Sequence, residues 1–297
     1  MSSSANGSAN ASPNTQPVSV PPTVWVEPRS SNSSPTSEAG VNGTQAGEPT
    51  HADTVRPLDP AGGPYLVGVD GCRAGWVAAI ARCAEPRRLL SIEVHEHIDP
   101  LITGVRNGVI AVLAIDMPMG LPDTGPRRCD IDTRTRLGRK SSSVFPTPVR
   151  PLLHCTDHAQ AVTLGRSIDG RGISIQAFNL LPKIAQLDAG IREHCPPELF
   201  AHIFEAHPEA AFADLAGDPL ESKKRSVEGR AERLAFLEHE LPGCGDLLTA
   251  RYRGAAADDI LDAAVLVRTA RRILEGTASM LGDGSSDRHG IPMRVAI

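Results

Sequence analysis

Two aspartates stand directly after apolar segments that have the composition of buried strands. Asp70 closes the segment YLVGVD at 65–70, and Asp116 closes the nearly continuous apolar run VIAVLAID at 109–116. If these strands are neighbours, their carboxyl ends lie about 5 Å apart at an edge where open α/β sheets bind ligands. Converging carboxylates repel each other, and divalent cations with oxygen ligands relieve that repulsion. The pattern therefore predicts a metal site, although either aspartate alone could equally cap a turn.

A third group of acids opens the amphipathic helix predicted over 257–275. Asp259 and Asp262 lie three residues apart and share one helix face, whereas Asp258 is interpreted as the solvent-side cap. Acids in a first helical turn also favour the helix dipole, which is the structural explanation for them. Asp262 has apolar neighbours on both sides, and a buried carboxylate needs a cation or hydrogen-bond donors. Asp262, with Asp259 as its alternative, therefore joins the predicted metal ligands.

Glu205 and His207 stand in the segment HIFEAHPEAAF at 202–212, which is predicted to form a short strand followed by a turn. An acid in an apolar strand is either a charge at a sheet edge, or a fourth metal ligand, or a residue that orients one. His207 could carry a proton during catalysis, although a histidine in a strand is more often simply hydrogen-bonded.

Hydrophobic periodicity predicts the elements that must position these residues. Three β-rich segments at 65–70, 75–82 and 88–95 are separated by short breaks, which is typical of antiparallel hairpins. A helix over 98–107 leads to the run at 109–116, whose continuous apolar character indicates a central parallel strand. The prediction is an α/β fold with a mixed sheet, three antiparallel strands followed by parallel strands, flanked by helices. Further helices are predicted within 126–138 and over 156–166, 175–189, 228–240 and 257–275.

Composition divides the chain into three parts. Residues 1–60 are rich in Ser, Asn, Thr, Pro and Gly and are expected to be a disordered tail. Residues 64–276 are expected to form one domain with a helical insertion at about 117–200, and residues 277–297 a flexible C-terminal tail. No apolar run reaches the ~18 residues of a membrane-spanning helix. The six cysteines show no C-x-x-C spacing, which is typical of reduced thiols in a cytoplasmic protein.

The charge distribution bears on possible partners. A net charge of −5 and an aromatic content of 3% argue against a surface coated with phosphate-binding charge and against a broad base-stacking platform. A local basic segment nevertheless follows Asp116 and offers contacts to a phosphate backbone, although it could equally be an ordinary solvated helix face. The candidate phosphate contacts are Arg134, Arg139, Lys140 and Ser142, with Lys183 and residues 223–225 as weaker ones.

Six motifs, in order along the chain, resemble the domain-of-unknown-function 429 family: GVDGCRAGWVAA, IDMPMGLP, CDIDTRTRLGRKSSSVFPTP, LPKIAQLD, EAHPEAAF and DDILDA. The resemblance covers about 66–275. That family is described as predicted nucleases with an RNase H-like fold, so the resemblance implies this fold and a nuclease activity. By resemblance, Asp70 and Asp116 correspond to the first-strand and fourth-strand acids of RNase H-like nucleases. Asp259 and Asp262 similarly resemble the terminal-helix pair of RuvC-type resolvases, and Glu205 belongs to the family's E-x-H-P-E signature.

The expected function is Mg²⁺- or Mn²⁺-dependent hydrolysis of phosphodiester bonds in DNA or RNA by a two-metal mechanism. One alternative is an actin-like or sugar-kinase-type protein that binds nucleotide phosphates, whose first strand also ends in Asp-Gly. No second Gly-rich phosphate loop supports that alternative. The other is a non-catalytic binding module that kept the fold. The choice between DNA and RNA and the oligomeric state stay open.

Overall fold

A computed structural model describes residues 58–59 and 62–297, so the tail predicted for 1–60 lies outside the described residues apart from 58–59. The strands of the described part are β1 (Tyr65–Cys72), β2 (Gly75–Arg82), β3 (Glu85–His95), β4 (Ile110–Ile115), β5 (Ile203–Ala206), β6 (Met280–Leu281) and β7 (Val295–Ala296). They form one sheet of seven strands in the order β3-β2-β1-β4-β5-β7-β6.

The helices fill the connections between these strands. They are α1 (Asp99–Arg106), α2 (Arg128–Leu137), α3 (His158–Asp169), α4 (Ile175–His194), α5 (Pro208–Ala216), α6 (Val227–Glu240), α7 (Gly245–Thr249) and α8 (Ala257–Leu274). Short 3-10 helices span Gly138–Ser143, Arg150–His154 and Pro197–His202. The regular elements between β4 and β5 are all helical, as predicted for the insertion. No helix in the described ranges is long and apolar enough to cross a membrane.

The sheet is antiparallel on one side and mostly parallel on the other. β1 pairs antiparallel with β2, and β2 with β3, while β1 pairs parallel with β4 and β4 with β5. Helices α1 and α4 pack on one face, and α8 with α5, α6 and α7 on the other. This confirms the predicted α/β arrangement of three antiparallel strands followed by parallel ones, flanked by helices.

Helix α8 lies directly against β1 because Gly68 has no side chain. A Cβ atom at Gly68 would stand 2.2 Å from the carbonyl oxygen of Ala263 and 2.6 Å from the backbone nitrogen of Val267. Glycine inside a strand often marks such a close backbone approach. The contact fixes the height of α8 over the sheet, and with it the position of the acids in its first turns.

The C-terminal segment was wrongly predicted to be a flexible tail. Within 277–297, β7 inserts between β5 and β6, and Ile291 and Ile297 are 1% and 0% exposed. Pairing with β7 satisfies the backbone groups of β5 that would otherwise form an open sheet edge. The predicted turn after β5 is instead the beginning of α5, where Pro208 occupies the first helical position that suits proline.

Candidate active site

Asp70 and Asp116 stand side by side at the carboxyl ends of β1 and β4. Val69 is paired with Ile115 in the parallel register, and the Asp116 N–H donates a hydrogen bond to the Val69 carbonyl at 2.8 Å. Neighbouring strands lie about 4.8 Å apart. Alternation along both strands directs Asp70 and Asp116 to the sheet face that α8 covers. The sequence-based expectation that these two strands are adjacent is confirmed.

Asp262 reaches the same place from the second turn of α8. Its residue is 1% exposed, and its Oδ2 atom accepts a hydrogen bond from Lys224 Nζ at 2.6 Å. The other carboxylate oxygen, Oδ1, is buried without a hydrogen-bond partner. Asp70, Asp116 and Asp262 are called the carboxylate cluster below.

The electrostatics of the carboxylate cluster reflect burial and mutual repulsion. Burial, followed by the charges of Asp116 and Asp262, raises the pKa of Asp70 well above its usual value. Burial raises the pKa of Asp116 to about 7, with Lys224 opposing the shift and Glu209 adding to it. Burial likewise raises the pKa of Asp262 to about 6 against the attraction of Lys224. Full ionisation of the cluster would therefore place more negative charge there than its surroundings stabilise, and the acids retain protons to higher pH than usual.

Lys224 is the cation that offsets part of this charge. Burial by itself would lower the pKa of Lys224, but Asp262, Asp70 and Asp116 together raise it above the usual value. Lys224 belongs to the loop between α5 and α6, which is also held to α8 by the Arg225–Asp258 ion pair at 3.1 Å. An ammonium group thus stands beside the carboxylates where a metal ion is expected.

The carboxylate cluster opens into a cleft of about 620 Å³. His207 also lines this cleft, with its Nε2 atom 3.3 Å from the Ser143 carbonyl oxygen and its Nδ1 atom buried without a partner. Burial lowers the pKa of His207, which favours the neutral imidazole. The hydrogen bond to the Ser143 carbonyl requires a proton on Nε2, so Nδ1 is the acceptor nitrogen of the neutral ring, and its burial keeps it from the open cleft.

The donor chemistry suits Mg²⁺ or Mn²⁺, but the ligands are not already assembled. Carboxylate oxygens are the preferred ligands of these ions, and Asp262 Oδ1 is a buried oxygen with no other partner. Within the described residues, no group of three or more His, Cys, Asp or Glu side chains is close enough to hold a metal ion. Binding an ion here requires the carboxylates to turn toward it, and Lys224 on Asp262 Oδ2 competes with the ion for negative charge.

Asp259, and not Asp258, is the acid that caps α8. Asp258 is 6% exposed and pairs with Arg225, so its interpretation as a solvent-side cap is wrong. Asp259 instead accepts a hydrogen bond from the Ala256 N–H at 2.9 Å, which caps α8, and it lines the cleft. Capping uses one oxygen of Asp259 and explains its place in the first turn.

Glu205 occupies a separate network. Its neighbours Phe204 and Ala206 pack toward α8, so alternation turns Glu205 to the opposite face of the sheet. There Arg127 donates to both carboxylate oxygens at 2.6 and 2.7 Å, and the Met119 N–H donates to Oε2 at 2.8 Å. Asp130 shares the same arginine. Glu205 lines the same cleft as the carboxylate cluster, but Arg127 occupies both of its oxygens, so the structure does not leave it free to be the fourth ligand that was considered.

The candidate phosphate contacts fall into two groups. Lys140 and Ser142 line the cleft, as do Lys223 and Arg225, and Lys140 makes only long hydrogen bonds of 3.4 Å to the carbonyls of Glu221 and Ser222. Arg134 instead donates to the Val144 carbonyl at 2.6 Å, and Arg139 to the Pro219 carbonyl at 2.7 Å. Lys183 donates to the Gly75 carbonyl and lies over the ring of Trp76, outside the cleft wall. The first group is in position to meet a ligand in the cleft.

Sequence reasoning missed two residues that shape the site. Lys224 was noticed only as part of the basic run at 223–225, because its ion pair with Asp262 joins residues 38 positions apart. Gly68 interrupts an otherwise apolar strand pattern, which was a readable signal of a close helix contact.

Comparison with known proteins gives one match. The family model described as "Protein of unknown function (DUF429)" matches residues 68–286, a range that contains every member of the carboxylate cluster. Neither the curated proteins nor the solved structures include a match.

Proposed function

The chain belongs to the DUF429 family, and from that premise we propose that it is a phosphodiesterase that uses Mg²⁺ or Mn²⁺ to cleave DNA or RNA. One observation carries the proposal: the carboxylates of Asp70, Asp116 and Asp262 come from β1, β4 and α8, and their raised pKa values reflect burial among like charges. A purely structural site has no reason to concentrate acids with raised pKa values at a ligand-binding edge of the sheet.

The residues of the carboxylate cluster would hold the metal ion. When bound, a divalent ion lowers the pKa of water and neutralises a leaving oxygen at a phosphodiester. Side chains of the protein would bind the substrate. Lys140 and Ser142 hold the phosphate backbone at the cleft wall.

The cytoplasmic location is part of this proposal. All six cysteines lie in the described part of the chain and are free thiols, which supports a reducing compartment.

A non-catalytic binding module is the second candidate. The Lys224–Asp262 ion pair favours it, because this pair satisfies part of the cluster without any metal. The ligand groups are also not assembled in advance within the described residues. The two candidates differ in whether Asp70 and Asp116 bind divalent ions.

Calorimetric titration with Mn²⁺ separates the two candidates. We expect the full chain to bind Mn²⁺, and Asp70→Asn and Asp116→Asn to lose most of that binding while remaining folded. Asp246→Asn is the matched control, because Asp246 is an exposed acid on α7, away from the cleft. Cleavage of fluorescent DNA and RNA strands should depend on Mn²⁺ and fall at least about 100-fold in Asp70→Asn. Absence of Mn²⁺ binding, or full cleavage by Asp70→Asn, contradicts the proposed mechanism.

A further inference from the structure

Phe145 presents an aromatic ring to solvent at the wall of the cleft. The residue is 45% exposed, in a chain whose aromatic content is only 3%. A single exposed apolar side chain is ordinary on a protein surface. What distinguishes Phe145 is its place beside the carboxylate cluster and the way its backbone is held.

The loop that carries Phe145 is fastened on both sides of it. Val144 is buried, and its carbonyl accepts a hydrogen bond from Arg134 at 2.6 Å. Thr147 is buried as well, and its N–H donates to Asp130 Oδ2 at 3.2 Å. A ring presented by an anchored loop loses little conformational entropy when a ligand packs against it.

Apolar side chains continue the surface around Phe145. Pro146, Pro148, Ala177 and Leu180 line the same cleft and, together with Phe145, are called the apolar wall. A volume of about 620 Å³ falls within the range of small-molecule sites, roughly 300–1,000 Å³. The cleft thus combines an apolar wall with the carboxylate cluster.

Positive charge lies along the same cleft. Lys140 stands five residues before Phe145, and Lys223 is exposed on the loop between α5 and α6. A ligand that suits these surfaces has an anionic chain beside a planar apolar group, as in a single-stranded nucleic acid. In a duplex the faces of the bases are enclosed in the stack and cannot reach an aromatic side chain unless a base is extruded.

We propose that Phe145 and the apolar wall bind one unpaired base of a single-stranded nucleic acid whose phosphates lie along Lys140 and Lys223. The inference rests on the proposed function and narrows its substrate class to strands with unpaired bases. One aromatic residue provides one stacking position, which agrees with a composition too poor in aromatics for a broad platform.

Fluorescence anisotropy of the full chain with labelled strands tests the inference. The probes are a twelve-nucleotide thymidine strand, the same strand with abasic sugars, and a blunt duplex of the same length, each with Ca²⁺ present to limit cleavage. We expect the thymidine strand to bind ~5–100-fold tighter than the abasic strand, as expected for stacking of one base. Phe145→Ala should remove this difference, and Phe145→Tyr should retain it. Ile131→Ala is the matched control, because Ile131 is a similarly exposed apolar residue, 44% exposed, outside the cleft.

The possible outcomes separate the inference from the function on which it rests. Equal affinity for thymidine and abasic strands, or tighter binding of the duplex, contradicts the inference and leaves metal-dependent cleavage standing. An unchanged base preference in Phe145→Ala also contradicts it. Lack of binding to all three probes contradicts both the inference and the proposed function.

Discussion

Two groups of acids extend from opposite faces of the same sheet. They differ in how completely hydrogen-bond donors satisfy their carboxylate oxygens. On one face, each oxygen of Glu205 and Asp130 has a donor, supplied by Arg127, by the Met119 N–H or by the Thr147 N–H. On the other face, Asp262 Oδ2 accepts from Lys224 and Asp70 Oδ1 from the Gly71 N–H, while Asp262 Oδ1 is buried without a partner.

The contrast separates acids that hold the fold together from acids that are available to a ligand. Satisfied oxygens rigidify a core, whereas an unsatisfied buried carboxylate is unfavourable unless something else binds it. The network around Arg127 fastens the loops that follow β4 to the sheet. The carboxylate cluster fastens only the Lys224 loop to α8, and the proposed metal ion would supply the partner that Asp262 Oδ1 lacks.

Removing Arg127 should have the largest effect, because it tests the structural group. Arg127→Met leaves Glu205 and Asp130 buried without their cation, and we expect the free energy of unfolding to fall by about 3–5 kcal/mol. Arg128→Met is the matched control: Arg128 is adjacent, its side chain is 60% exposed, and its pair with Asp132 contributes at most about 1 kcal/mol. Urea unfolding followed by circular dichroism measures both. Equal losses in the two variants would show that the network does not stabilise the fold.

Replacing Lys224 should lower the stability by an intermediate amount and raise the affinity for Mn²⁺. Lys224→Met removes the partner of Asp262 Oδ2, which should lower the free energy of unfolding by about 1–3 kcal/mol without metal. The same change removes a competing cation, so the affinity for Mn²⁺ should rise ~5–10-fold. Lys223→Met is the control for both measurements, since Lys223 is the exposed neighbour. Weaker Mn²⁺ binding by Lys224→Met would mean that Lys224 assists the metal site.

The sequence predicted the carboxylate cluster because each member follows a local pattern. Strand-terminal acids after apolar runs are visible within eight residues, and an acid in the apolar part of α8 is visible within one turn. Glu205 looked similar, but its partner Arg127 is 78 positions away and its face depends on the register of β5. Local patterns therefore located the acids without telling which of them already have partners.

The C-terminal strands could not be predicted either, because their pairing also depends on residues far away in the sequence. β6 and β7 contain two residues each, which is too short for a periodic pattern, and polar residues fill most of the loop between them. Their pairing is determined by the open edge of β5, a feature of the assembled sheet. By contrast, the long apolar pattern of α8 predicted its existence and its bounds to within one residue.

The smallest expected effect concerns pH and tests whether repulsion within the carboxylate cluster is real. An aspartate in the unfolded chain titrates near pH 3.9, whereas burial raises the pKa of Asp116 to about 7 and of Asp262 to about 6. The folded state therefore retains protons that the unfolded chain has released. The resulting contribution to stability is complete below about pH 4 and is lost as the pH rises through about 6–7.

The Asp116→Asn variant has no ionisable group at this position. Its free energy of unfolding should therefore equal that of the wild type at pH 4 and exceed it at pH 8. We expect a difference in the free energy of unfolding of about 1–2 kcal/mol at pH 8 without metal. At about 1.4 kcal/mol per unit, the raised pKa of Asp116 sets an upper bound of about 4 kcal/mol, and water in the cleft screens part of it because Asp116 is only partly buried. Urea titrations at pH 4 and pH 8 measure it, with Asp246→Asn as the control whose difference from the wild type should not change with pH. Saturating Mn²⁺ should stabilise the wild type more than Asp116→Asn and so reverse their order at pH 8. Parallel pH profiles for the wild type and Asp116→Asn would mean that the acids at the ends of β1 and β4 are as well satisfied as those around Arg127, and the contrast between the two faces of the sheet would disappear.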